Sequence, residues 1–258
     1  MSASEARYRA NPTDVSNARL AMRPRGEYDG IVLIFHGAGG PDRETDDLRA
    51  AVLAADRRCN VNRFVEVFDW REWLGGSDRA AFDAQAIGET IGKQLAMDEP
   101  SPRSLHVIGT SVGAFAADAC VSSFVEYREG RPRCRVRLTL TDPFTSRGDL
   151  SEGWGRRNFG RSADFAEHIF TSDGIVPTTN EPLPHCYCLD VTRTVERKSF
   201  RPPFTGNIFK DLGTWVLLGH QWPMGYLARR FETAVNEAGE IVVPDHEELP
   251  RGKIRLVE

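Results

Sequence analysis

Apolar and polar positions along this chain follow two rhythms. Short, mostly apolar runs recur at 30–37 (GIVLIFHG), 63–70 (RFVEVFDW), 104–109 (SLHVIG), 135–142 (RVRLTLTD), 186–192 (CYCLDVT) and 214–220 (TWVLLGH). Several are apolar at consecutive positions, which predicts strands buried on both faces. Between them, apolar residues fall at helical spacing. Leu48, Val52 and Ala55 do so within 44–57, and Ala84, Ile87, Ile91 and Leu95 within 78–97. Ser77 is placed to cap the second helix, with Asp78 in its first turn. Further helices are predicted over 112–127 and 221–236. Strands alternating with helices predict one α/β domain over 1–258, with a mostly parallel central sheet and helices on both faces.

The longest break in this rhythm is 143–185, rich in Gly, Ser and Arg, with a short helix predicted near 163–170. Following one strand and preceding the next, it reads as a lid-like insertion over the C-terminal edge of the sheet. Open α/β sheets bind their ligands at that edge.

Composition narrows the function classes. The 258 residues are 40% hydrophobic and 27% charged, ordinary for a globular protein. A net charge of -4 argues against general affinity for nucleic acid or anionic membranes. Apolar runs such as IVLIF fall far short of a transmembrane segment, and MSASEARYRANPTDVS lacks the apolar stretch of a secretory signal. Five scattered cysteines (Cys59, Cys120, Cys134, Cys186 and Cys188) favour reduced thiols and a cytoplasmic location. Cys186 and Cys188 stand beside His185, but Cys-x-Cys in a strand puts both thiols on one face and no second ligand pair follows. Core packing is therefore preferred to a metal site, and no metal or organic cofactor is expected.

The chemistry gathers around Ser111. LHVI reads as a buried strand, GTSVG as a sharp turn and AFAADACVSSFV as the next helix. A strand–turn–helix of this kind, with Gly109 and Gly113 flanking the serine, presents its Oγ above the sheet as a nucleophile. Neither G-x-G-x-x-G nor G-K-[ST] occurs at this turn, so a phosphate loop is not indicated. Serine needs a base to take its proton. Of six histidines, His36 lies in FHGAGG, His106 in the strand before the turn, His168 and His185 in the insertion and its exit, and His246 in the polar tail. His220 alone follows an apolar run and precedes a helix late in the chain, and is the preferred base. The glycine-rich turn after IVLIF offers the Ala38 amide, and the turn after Ser111 the Val112 amide, as donors to an oxyanion.

Two carboxylates satisfy the chain order Ser, Asp, His: Asp142 and Asp190. Asp142 is preferred, because TDPF sets it at a strand end where proline stops the strand. Asp190 is followed by Val191 and shares a strand face with Cys186 and Cys188.

These segments resemble the α/β-hydrolases, and within them the lipase branch of pancreatic type. VFDWREW with the helix after it, LHVIGTSVGAFAA and LTLTDPF carry the resemblance, well over 28–145 and more loosely over 185–235. It implies a serine hydrolase cleaving a carboxylic ester through an acyl-enzyme on Ser111, with the acid after the next strand, at Asp142. Thr110 stands where that branch usually has histidine, and neither a lipid-binding C-terminal domain nor a disulfide framework is present, so action on emulsified fat is not implied. The expected partner is a small or lipid-like acyl ester. Trp70, Trp73 and Trp154 are candidate pocket walls, with core packing the equal alternative. Thioester or amide cleavage by the same residues, and a binding protein without turnover, remain open alternatives.

Overall fold

GIVLIF forms strand β1 (Gly30–Phe35), buried at every position, as an unbroken apolar run in a parallel sheet must be. The computed structural model describes residues 3–20, 28–97, 102–147, 153–174, 176–200, 208–242 and 250–258, and of 208–215 the backbone only; His246 lies outside these residues. Six more strands pair with β1 in one sheet: β2 (Arg63–Phe68), β3 (Ser104–Thr110), β4 (Arg135–Thr141), β5 (Phe165–Phe170), β6 (Tyr187–Asp190) and β7 (Ile254–Leu256). Every pairing is parallel, in the order β2-β1-β3-β4-β5-β6-β7.

The helices are α1 (Ala3–Ala10), α2 (Arg43–Cys59), α3 (Ala80–Met97), α4 (Gly113–Glu126), α5 (Trp154–Asn158), α6 (Val195–Ser199) and α7 (Ile208–Thr233). Period-two alternation sorts each strand between two cores. Ile31, Leu33 and Phe35 face α3 and α4 with Leu105, Val107 and Leu138. Val32 and Ile34 face α2 and α7 with Ile108, Leu227 and Phe231. The chain steps one way from β1 to β2 and the other way to β3, and right-handed crossovers then put α2 and α3 on opposite faces. That reversal opens a crevice between the C-terminal ends of β1 and β3. Helices α3 and α4 pack backbone to backbone: a Cβ on Gly88 would stand 2.1 Å from the Ala116 carbonyl oxygen.

Three sequence expectations change. The run 214–220 is helical, part of α7, which continues through Pro223. A short apolar run carries no period of its own, and here it belongs to a long helix lying on the sheet. The helix predicted near 163–170 is strand β5, between β4 and β6, so 143–185 supplies a strand of the sheet. Its Glu167 and His168 hid the strand: both are fully buried, Glu167 bonded to Arg230 of α7 at 2.9 Å. Helix α3 begins at Ala80, beyond the reach of Ser77 as a cap, and Asp83 in its first turn accepts from the Gly75 N–H at 2.9 Å. Two further elements carry little sequence signal: α1 is polar along most of its length, and β7 is only three residues long.

Candidate active site

At the end of β3 the backbone of Ser111 turns into the left-handed region, with φ of 53°. That conformation costs a non-glycine residue about 1–3 kcal/mol and persists only where its surroundings enforce it. Here the Ser111 N–H donates to the Thr141 carbonyl at 3.2 Å, and the Ser111 carbonyl accepts from Ala114 and Phe144 at 3.2 and 3.0 Å. The turn is tight because both flanking residues are glycine. A Cβ on Gly113 would lie 2.3 Å from the His36 carbonyl oxygen, and one on Gly109 would lie 2.6 Å from the Ala117 Cβ. Ser111 is left half-buried at the N-terminal end of α4, where the Val112 amide has no intrahelical acceptor.

The turn after β1 comes alongside. A Cβ on Gly37 would be 3.3 Å from the Ser111 Cβ and 3.9 Å from its Oγ. The Gly37 carbonyl is held twice, by the Gly40 N–H at 3.2 Å and by His36 Nδ1 at 2.6 Å. Since a trans peptide points its N–H opposite to its C=O, these bonds fix the direction of the Ala38 N–H. His36 is itself locked: fully buried, stacked on Trp70 at 5.3 Å, with Nε2 3.2 Å from the Trp70 N–H. A backbone N–H can only donate, so Nε2 accepts and the proton sits on Nδ1. Burial lowers the His36 pKa, which favours this neutral form. Asp69, 3.3 Å from Nε2, is engaged by the Arg71 guanidinium, whose hydrogen bonds hold its carboxyl at about 2.

Asp142 follows β4, also with positive φ (41°), and its N–H donates to the Ile169 carbonyl at 2.9 Å. Its side chain is fully buried. Oδ1 accepts from the Thr171 N–H at 3.1 Å, and Oδ2 lies 3.0 Å from His220 Nδ1. Burial pushes the Asp142 carboxyl above its ordinary value, opposed by the bond and charge of His220. His220 comes from α7, 78 positions away in the chain, and its side chain is 11% exposed. The next residue, Gln221, donates to Asp42 Oδ2 at 2.5 Å, while Asp42 Oδ1 caps α2 through the Thr45 N–H at 2.9 Å. That bond docks α7 beside the turn holding Gly37 and Ala38.

Asp190 is turned elsewhere, its Oδ1 accepting from the Thr192 N–H at 3.0 Å and the Thr192 hydroxyl at 2.5 Å. The three tryptophans pack against the core, and Trp154 also lines a surface cavity away from Ser111. Trp70 is fully buried on His36, Trp73 stacks on Phe68 at 5.7 Å, and Trp154 stacks on Phe115 at 5.5 Å. Cys186 and Cys188 are buried free thiols, and burial pushes Cys188 up to about 11. Among the described residues, no group of three metal-ligating side chains gathers. Nor is any helix among them long and apolar enough to cross a membrane. Sequence reasoning missed His36 as a support, along with Asp42, Thr171 and Gln221. Only His36 left a signal, by standing directly before the glycine-rich turn.

No family model and no curated protein matches the chain. Among solved structures, there is a partial match to RedJ, a thioesterase from the prodiginine biosynthetic pathway in Streptomyces coelicolor. It has 19% identity and a TM-score of 0.30, over 56% of this chain and 50% of that one, so the chain spans about half of RedJ. A likeness this slight carries no argument about function.

Proposed function

We propose that this protein is a serine hydrolase cleaving a carboxylic ester through an acyl-enzyme on Ser111. The observation that carries the reading is the 3.0 Å bond between Asp142 Oδ2 and His220 Nδ1, joining residues 78 apart at the strand end next to Ser111. In the neutral imidazole, an Nδ1–H given to Asp142 leaves Nε2 as the nitrogen that can take a proton.

In this mechanism Ser111 Oγ attacks the ester carbonyl while His220 Nε2 removes its proton. The Ala38 and Val112 amides receive the negative charge that develops on the carbonyl oxygen, His36 keeping the first of them aimed. His220 then returns the proton to the leaving alcohol, and the acyl group stays on Ser111. Water, activated by the same imidazole, releases the acid. Asp142 holds the useful tautomer and stabilises the imidazolium, as the buried carboxylate of a serine triad does. No step calls for a metal or organic cofactor.

A thioester would pass through the same steps with a thiolate leaving group, so substrate choice is tested along with the reaction. A panel of p-nitrophenyl esters of graded acyl length is assayed beside the matching acyl thioesters. Ester turnover that disappears in Ser111→Ala supports the reading. Thioester turnover alone moves the substrate class. No turnover of either, in a protein that binds the acyl compounds, would make it a binding protein on this fold.

A further inference from the structure

Away from Ser111, at the N-terminal edge of the sheet, a cavity of about 370 Å³ lies under the turn that follows α7. The turn is closed by the Val235–Ile241 bridge, and its Asn236, Glu240 and Val242 line one side. The sheet supplies the other. Register places His106, Arg137 and Phe165 side by side across β3, β4 and β5. Leu105 and Ile31 add apolar wall, and Arg63 and Arg135 add charge. A strand of seven residues, about 20 Å, separates this edge from the Ser111 end.

Within the ion pairs behind this cavity, Arg137 is the least well answered cation; Asp164 at the same edge accepts from the Val136 N–H at 2.8 Å. Arg63 pairs with Asp56 in a buried contact, and Arg135 with Glu240 at 2.6 Å. Arg137 and Arg230 share one carboxylate, Glu167, at 3.6 and 2.9 Å. In these pairs four guanidinium groups thus meet three carboxylates. The nearby Asp29 is exposed and accepts from the Asn62 N–H at 2.7 Å. The poorer share of Glu167 falls to Arg137. Its Nη1 reaches the Ile241 carbonyl at 3.0 Å and its guanidinium lies 4.7 Å over the Phe165 ring, but Nε and Nη2 make no hydrogen bond. His106 registers the same positive field. Bonded to the Thr139 hydroxyl at 2.9 Å, it is held neutral first by burial and then by the positive charges of Arg137, Arg63 and Arg230. A buried cation is costly unless an anion answers it.

We propose that this cavity binds a small organic carboxylate, its head in the field of Arg135 and Arg137 and its apolar body against Leu105, Phe165 and Val242. A carboxylate brings one negative charge, enough to answer Arg137, whereas a phosphate monoester brings about two at neutral pH. Apolar walls on the sheet and the turn exclude a bare inorganic anion as the best fit. The volume falls in the range of about 300–1,000 Å³ typical of small-molecule sites. This assignment stands apart from the chemistry proposed for Ser111.

Isothermal titration of the full chain with benzoate, benzamide and phenyl phosphate tests it. Benzoate should bind at one site, and benzamide, which keeps the ring but lacks the charge, should bind at least about tenfold more weakly. Two variants locate the site. Arg137→Gln removes the least well answered cation. Val242→Trp fills the cavity from a position 47% exposed, where a larger side chain leaves the fold intact. Each should weaken benzoate about tenfold or more, while Ser111→Ala leaves it unchanged. The proposal is overturned by silence of benzoate up to about 10 mM, or by equal affinity in a folded Val242→Trp protein. It is equally overturned if benzamide matches benzoate, if phenyl phosphate binds more tightly, or if Ser111→Ala abolishes the binding.

Discussion

His36 shows how one side chain can set the geometry of a neighbour's backbone. Its Nδ1–H on the Gly37 carbonyl and its Nε2 toward the Trp70 N–H leave one tautomer and one ring position. His36→Phe keeps a ring to stack on Trp70 but loses both bonds, so the Gly37–Ala38 peptide is held by the Gly40 N–H alone. We expect kcat to fall about ten- to a hundredfold with KM little changed, because the interaction is made chiefly in the transition state. An unaltered kcat in the folded variant would remove His36 from the account. The two candidate acids give a second prediction at this scale. Asp142→Asn should lower kcat by about 10⁴-fold, as loss of a triad carboxylate can. Asp190→Asn should act on stability only, its Oδ1 being engaged by Thr192. Measured kcat of the two purified variants decides between them, and an active Asp142→Asn beside a folded, inactive Asp190→Asn would reverse the assignment.

At the scale of elements, α3 and α4 meet through glycine, with no room for a side chain at the contact. Gly88→Ala would drive a Cβ to 2.1 Å from the Ala116 carbonyl oxygen, forcing the helices apart. The expected cost is about 1–3 kcal/mol of unfolding free energy, read from urea titration. A change below about 0.5 kcal/mol would mean that the helices separate freely. The sequence disclosed elements unevenly. Strands β1 to β4 and helices α2 to α4 were legible because their apolar positions follow one period each and bury on matching faces. Strand β5 was not, because Glu167 and His168 sit in a central strand for reasons that only α7 and the second core explain. TWVLLGH reads as a strand ending at His220, but it is helical, and His220 meets Asp142 from α7. The two side chains come together because α7 passes over the C-terminal end of β4, a tertiary fact with no local signal.

Across the whole molecule, stability carries a pH dependence from a group remote from Ser111. Asp118 on α4 is buried, and Oδ1 accepts from the Gly160 N–H at 2.8 Å, tying α4 to the loop before β5. Burial pushes its carboxyl up to about 7. The folded value lies above the unfolded one, so its stabilising contribution is full below about pH 4 and is lost as the pH rises through about 7. Asp118→Asn keeps the acceptor and never ionises. It should therefore exceed the wild type in stability by about 1–3 kcal/mol at pH 8, with the gap closing toward pH 4. Urea titrations at the two pH values measure this, and a gap that is constant or widens toward acid would contradict it. The catalytic proposal, too, belongs to the whole molecule, because its parts come from β1, β3, β4 and α7 at one sheet edge. Its central claim is a covalent bond to Ser111. Incubation with a fluorophosphonate followed by intact-mass and peptide spectrometry tests that bond directly. The account predicts one adduct, on Ser111, absent from Ser111→Ala and formed far more slowly by His220→Ala; an unlabelled protein, or an adduct on another residue, would contradict it.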